Sequence, residues 1–224
     1  MNESKKTLGI IHAINLTIRA MQPFVEEFIP DIEVVNLADD TIQRENMRAG
    51  VGVIPKRNYL KFANYAFNLQ EAGADMILLA CSTFNYAAEL ARPMIDIPIM
   101  QIDRPMMEAA VAHGRRVGLL ATLATTVPSS ERLLRIVAAE QNREVEITTV
   151  LRGDAFVALQ KGDTETHNAI LLEEIEKLSN SVDSIAMAQL SMSALAPHLS
   201  NTRVPVFNSG TTGFGRIRQM LNAK

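Results

Sequence analysis

Cys81 is the only cysteine in the chain, and it stands between an apolar run, Met76-Ile77-Leu78-Leu79-Ala80, and a polar one, Ser82-Thr83-Phe84-Asn85. The apolar run reads as a buried strand and the polar one as a helix start. A thiol at such a junction faces the positive end of a backbone dipole, which lowers its pKa toward neutrality. The hydroxyls of Ser82 and Thr83 and the amide of Asn85 would grip a carboxylate beside it. The plainer reading is a small buried hydrophobe followed by ordinary helix-capping residues.

Along the chain, short apolar runs recur, each leading into a helical pattern. Residues 8–11, 32–37, 76–80 and 97–102 read as strands of one half, and 117–120, 145–150, 185–188 and 204–207 as strands of the other. Helix-type apolar spacing falls at 59–71, 131–141 and 169–178. Continuous apolar strands alternating with helices predict a mostly parallel sheet covered on both faces. The two halves also align with each other. Gly9 and Gly118 lie 109 residues apart, the runs opening at Ala74 and Val182 lie 108 apart, and Ile97-Pro98-Ile99 and Val204-Pro205-Val206 lie 107 apart. These offsets predict an α/β protein of two pseudosymmetric Rossmann-like lobes with a cleft between them. The first lobe would span 1–104, completed by 208–224, and the second 105–207. In this alignment the partner of Cys81 is Gln189.

Ligands of parallel α/β sheets gather at the carboxyl ends of the strands. The loops there, 12–17, 81–85, 122–126, 189–193 and 208–212, are rich in Ser, Thr and Asn and almost free of charge. Such loops suit a small carboxylate held by hydroxyls and backbone N–H groups, and not a polyphosphate. Thr122 and Thr125 in the second half and Asn15 in the first are candidate binding residues, with Gln189 and Ser191 beside them. His12 titrates in the right range to serve as a second acid/base, although a hydrogen-bonding histidine at a strand end is the commoner outcome. Asp103 and Arg104 follow the fourth strand as either a substrate-binding pair or a surface ion pair. The tail Gly210-Thr211-Thr212-Gly213-Phe214-Gly215 comes after the last strand, so it reads as a helix start offering N–H groups rather than a dinucleotide fingerprint.

The 224 residues are 47% hydrophobic and 21% charged, enough for a packed core, and the formal charge of −3 gives no footprint for nucleic acid or an anionic membrane. Trp is absent, which leaves little for base stacking. A lone cysteine fits a reducing cytoplasm, and no apolar run approaches the ~20 residues that span a bilayer. His113, His167 and His198 have no ligand spacing, so no metal is expected.

Taken together, Gly9-Ile10-Ile11-His12-Ala13, Leu79-Ala80-Cys81-Ser82-Thr83-Phe84, Gly118-Leu119-Leu120-Ala121-Thr122 and Ala188-Gln189-Leu190-Ser191-Met192 resemble the Asp/Glu/hydantoin racemase superfamily over nearly the whole chain. The resemblance implies proton transfer without a cofactor at the carbon next to a carboxylate, in a cleft between the lobes. It implies one cysteine from each lobe, one thiolate removing the α-proton and the other thiol delivering a proton to the opposite face. Cys81 matches the first-lobe cysteine. Gln189 stands where the second would be, and an amide neither titrates near neutrality nor readily gives up a proton. Two-thiol racemisation therefore lacks its second group, while chemistry with one proton donor survives. Arylmalonate decarboxylase, in the same superfamily, works with a single cysteine in its second lobe. The expected activities are thus a racemase or isomerase with another second base, or a single-thiol decarboxylase. The competing reading is a catalytically inactive two-lobed carboxylate-binding protein. A small carboxylic acid is the expected partner, and the resemblance implies a homodimer.

Overall fold

The computed structural model of the protein describes residues 5–222. Strands and helices alternate along it: β1 (Thr7–His12), α1 (Leu16–Phe28), β2 (Glu33–Ala38), α2 (Asp40–Ala49), α3 (Lys56–Glu71), β3 (Met76–Leu79), α4 (Tyr86–Ala91) and β4 (Ile99–Gln101) come first. After them come α5 (Arg104–His113), β5 (Arg116–Ala121), α6 (Val127–Glu140), β6 (Glu146–Leu151), α7 (Gly153–Gln160), α8 (Thr164–Leu178), β7 (Ser184–Met187), β8 (Val206–Asn208) and α9 (Ser209–Asn222). Two compact units result. One holds the residues up to Ile102 together with those from Gly213 onward, and the other is Asp103–Thr212.

Each unit is built on a four-stranded parallel sheet, in the order β2-β1-β3-β4 in one and β6-β5-β7-β8 in the other. The registers repeat as the sequence offsets predict. Gly9 pairs with Ile77 and Gly118 with Ile185, while Ile77 pairs with Ile99 and Ile185 with Val206. The entrances to the central strands are clasped alike, with Thr7 N donating to Asp75 Oδ2 at 2.8 Å and Arg116 N to Asp183 Oδ2 at 2.8 Å. The α/β assignment and the parallel sheets agree with the sequence reading.

Three details differ from that reading. The edge strands β2 and β6 are not covered on both faces; Val35 and Leu151 are exposed. The strands β4 and β8 begin beyond Pro98 and Pro205, which have no N–H for the ladder but whose carbonyls accept from Ile77 and Ile185. Helices α3 and α8 start earlier than their apolar spacing suggests, because their first turns are polar. In α8 the Asp163 side chain accepts from Thr166 N, an N-cap set before any apolar residue.

The central strands are buried almost completely, and their fit to the covering helices is close. In the first unit the core gathers Ile11, Phe62, Leu69, Ile77, Leu79 and Phe84. From α9, Phe214 stacks on Phe24 of α1 with ring centroids 5.7 Å apart. A Cβ at Gly213 would come within 2.9 Å of the Ile102 carbonyl, so glycine is what lets α9 pass the end of β4. No helix among the described residues is long and apolar enough to cross a membrane.

Gly9 and Gly118 occupy the same place on β1 and β5, but with different clearance. A Cβ at Gly118 would meet Leu178 Cδ2 at 2.6 Å and Cγ at 2.9 Å, whereas at Gly9 the nearest atom, Leu69 Cδ1, is 3.0 Å away. Leu178 is buried and cannot swing clear. We expect Gly118→Ala to cost about 1–3 kcal/mol of stability, the range of core overpacking, and Gly9→Ala less, as measured by urea unfolding.

Candidate active site

The strand order decides where a ligand can reach each sheet. From β1 the chain passes to β2 on one side, and from β3 it passes to β4 on the other, so the loops after β1 and β3 part and leave a crevice at their carboxyl ends. The loops after β5 and β7 do the same in the second unit. Cys81 and Gln189 leave the sheets at these two points. Ala80 N donates to Ile11 O at 3.0 Å and Ala188 N to Leu120 O at 2.9 Å, so the pairing continues to the residue before each. Both are extended, with φ/ψ of −153°/109° for Cys81 and −147°/139° for Gln189. Both open a 3-10 segment, Ser82–Phe84 or Leu190–His198, in which Phe84 N donates to Cys81 O and Met192 N to Gln189 O. Gln189 is the structural counterpart of Cys81.

The Cys81 thiol is half-buried against the core cluster that contains Phe62 and Phe84. A helix start is the expectation directly behind it. Instead, the thiol is succeeded by a three-residue 3-10 turn and then the six-residue α4, which align few peptide dipoles. Ser82 is partly exposed, while Thr83 and Asn85 are buried. A partly buried polar brace supports this loop. Gln101 Nε2 donates to Asn85 O at 3.3 Å and to Glu89 Oε1 at 2.6 Å, Arg92 donates to Gln101 Oε1 at 2.7 Å, and Arg92 is also paired with Glu89. Sequence reading missed these three residues, since only the end of β4 brings Gln101 against α4.

The residues after β1 form a network of their own. His12 is fully buried, with Nδ1 2.6 Å from Thr17 Oγ1 and Nε2 2.9 Å from Asn36 Oδ1. Both ring nitrogens are thereby engaged in hydrogen bonds. Asn15 is exposed, and its backbone and side-chain amides donate to Asp40 at 2.7 and 3.0 Å. Next to it, Asp39 caps α2. Its carboxylate accepts from Thr41 N at 2.8 Å, from Thr41 Oγ1 and from Tyr65 OH at 2.7 Å, with Lys61 Nζ 3.4 Å away. These bonds hold the Asp39 pKa below the ordinary carboxylate range against the opposing effect of burial. Burial, then the hydrogen bond to Asp39, pushes Tyr65 up to about 12. The ends of the edge strands, outside the five loops rich in Ser, Thr and Asn, do carry charge. At the matching edge of the second unit, Arg152 pairs with Asp154 and Glu174, each at 2.7 Å. Applying the strand-end rule to β2 and β6 as well would have found both clusters.

In the second unit, Thr122 and Gln189 come together. Gln189 Oε1 accepts from Thr122 N at 2.6 Å, from Thr122 Oγ1 at 3.0 Å and from Leu123 N at 3.2 Å. Two backbone N–H groups and a hydroxyl converging on one oxygen are a set suited to an oxyanion. Here they hold the chain's own amide, so the Thr122 donors are not open to a carboxylate. Thr125 is partly exposed and Ser191 exposed. The first turn of α9 is likewise spent, with Gly210 N donating to Ser193 Oγ at 3.1 Å and Thr211 N to Asn208 Oδ1 at 2.8 Å. Asp103 is buried, and Arg104 pairs with Glu140 at 2.6 Å and Glu108 at 3.7 Å.

The sequence profile of the Asp/Glu/Hydantoin racemase family matches residues 19–216. The chain belongs to that family. A glutamate racemase from Trichodesmium erythraeum is 32% identical over 83 residues, a stretch that is 37% of this chain and 30% of that protein. A putative Asp/Glu racemase from Yersinia pestis has a structure matching this one with a TM-score of 0.74 at 19% identity, covering 96% of this chain and 99% of that one. A glycine-to-cysteine mutant of arylmalonate decarboxylase matches with a TM-score of 0.62 at 18% identity, covering 97% and 95%. At these identities the two structures speak for the fold.

Within this racemase-family chain, His12 gives the first crevice a measurable signature. Burial lowers its pKa below the ordinary value and outweighs the opposing hydrogen bond to Asn36. The unfolded chain, titrating near 6.5, then binds a proton that the folded one refuses. The stability this contributes is complete above about pH 6.5 and drains away as pH falls through the lower folded pKa. We expect urea-unfolding stability to fall between about pH 7 and pH 5 in wild type, and to fall less over that interval in His12→Asn.

Proposed function

We propose that this chain is an enzyme that transfers a proton at the α-carbon of a small carboxylic acid without a cofactor, with Cys81 as the acid/base and all proton transfer on the face that Cys81 serves. One observation carries the proposal: the structural counterpart of the chain's only thiol is an amide whose oxygen is already bound. Family membership supports chemistry next to a carboxylate, and the relatives' names span racemases and a decarboxylase. A racemase needs a second group that titrates, and Gln189 does not. Decarboxylation of a malonate-type diacid needs only one. The bond from the α-carbon to one carboxylate breaks, carbon dioxide leaves, and the electron pair stays behind as an enediolate. The Cys81 S–H gives its proton to the α-carbon to form the new C–H bond, and the thiolate regains a proton from water. Ser82 and Thr83, in the loop of Cys81, would hold the remaining carboxylate through hydroxyl and N–H donors. Asn85 and Asn15 are assigned to keeping their loops in shape.

Substituted malonates, amino acids and hydroxy acids incubated in D₂O test this. Wild type should release carbon dioxide from a malonate and leave one deuterium at the α-carbon in a single configuration. Cys81→Ala should be slower by about 10²–10⁴-fold, the usual contribution of a general acid. If wild type and Cys81→Ala behave alike across the panel while malonate still binds, the chain is a carboxylate-binding protein instead.

A further inference from the structure

We infer that Gln189 is a locked hydrogen-bond donor that recognises a carboxylate in the second unit, its amide turned nitrogen-outward by the three donors that hold its oxygen. An amide side chain offers an acceptor at one end and two donors at the other, and which end faces a ligand decides whether it attracts or repels an anion. At Gln189 that choice is made by the protein. Thr122 N, Thr122 Oγ1 and Leu123 N all converge on Oε1. Reversing the amide would set the Nε2 hydrogens against two backbone N–H groups, with Thr122 itself buried, and would lose those bonds at once. Nε2 makes no hydrogen bond to the described residues and is not among their enclosed polar atoms, so the small exposure the residue retains includes its nitrogen. Drawing electron density toward an oxygen with three donors also strengthens the N–H groups at the other end.

The ligand chemistry derives from the proposed function, on which this inference rests for its substrate class. Two fixed N–H groups without charge suit a carboxylate oxygen. The binding so provided has no pH dependence of its own between about pH 6 and 9, because an amide does not titrate there. In this role Gln189 is a specificity-determining residue. It decides that the second crevice recognises an anion instead of exchanging a proton.

Full-length ¹⁵N-labelled protein titrated with malonate tests the assignment. Malonate should shift the Gln189 side-chain NH₂ resonances. Gln189→Glu keeps an oxygen for the three donors but replaces the outer nitrogen with a second carboxylate oxygen. It should leave the Thr122 and Leu123 amides protected from hydrogen exchange while weakening malonate binding about tenfold or more, the worth of a hydrogen bond to a charged group. Gln189→Ala should speed exchange of those two amides. Unaltered malonate affinity in Gln189→Glu, or Gln189 resonances indifferent to saturating malonate, overturns the donor role. Unaltered exchange in Gln189→Ala overturns the locking. If malonate shifts Gln189 but no substrate turns over in a Cys81-dependent way, the proposed reaction falls and the donor assignment stands.

Discussion

The parallel pairing of β1 with β3 carries Ala80 N onto Ile11 O, and that bond fixes where Cys81 leaves the sheet. The equivalent bond from Ala188 N to Leu120 O fixes Gln189. Neither residue is placed by its own side chain. Each is delivered by a buried strand, and on the neighbouring central strand a glycine lies against a helix leucine, Gly9 against Leu69 and Gly118 against Leu178. Close packing tolerates no slip here, because one residue of slip would turn every side chain to the wrong face. The chemistry of this chain is therefore as stable as its two central strand pairs.

On that shared frame the two units carry different chemistry through few residues. The counterparts of Thr122 and Leu123 are Ala13 and Ile14, so the first unit lacks the hydroxyl that helps hold the Gln189 oxygen. The edge strands end on opposite charges, Asp39 in one unit and Arg152 in the other. The backbone geometry before them is nonetheless the same, with Asp39 N donating to His12 O and Arg152 N to Ala121 O. At the carboxyl ends of the strands backbone hydrogen bonds repeat and the side-chain networks described there do not, which is how one topology comes to present a thiol in one place and an amide in another.

Much of this was legible in the sequence, for reasons tied to particular residues. The offsets between Gly9 and Gly118 and between Cys81 and Gln189 survive into the strand registers because buried apolar strands leave little freedom in how they pair. Helix starts were harder to place, since α3 begins with Lys56-Arg57-Asn58 and apolar spacing is blind to a polar first turn. The orientation of the Gln189 amide could not be read at all. Its partners lie 66 and 67 residues away, and only folding brings them within reach. The same holds for the brace of Gln101, Glu89 and Arg92, whose members look like ordinary surface residues until β4 meets α4.

The locked amide also answers an energetic question that a free glutamine would leave open. Ordering a glutamine side chain costs about 1.5–2 kcal/mol of rotamer entropy, which a ligand would otherwise have to supply on binding. Here three hydrogen bonds, each worth about 0.5–1.5 kcal/mol net, are already in place when the protein folds. The ordering cost is offset by folding and not by the ligand, so whatever meets Nε2 meets a fixed dipole that need not reorganise. A cysteine at the same position would be too short to reach Thr122 and Leu123 and would leave their donors open. In the proposed reading the amide and the thiol are thus alternatives with opposite consequences: a thiol would exchange a proton and leave the donors to a substrate, while the amide takes those donors for itself and offers its own instead.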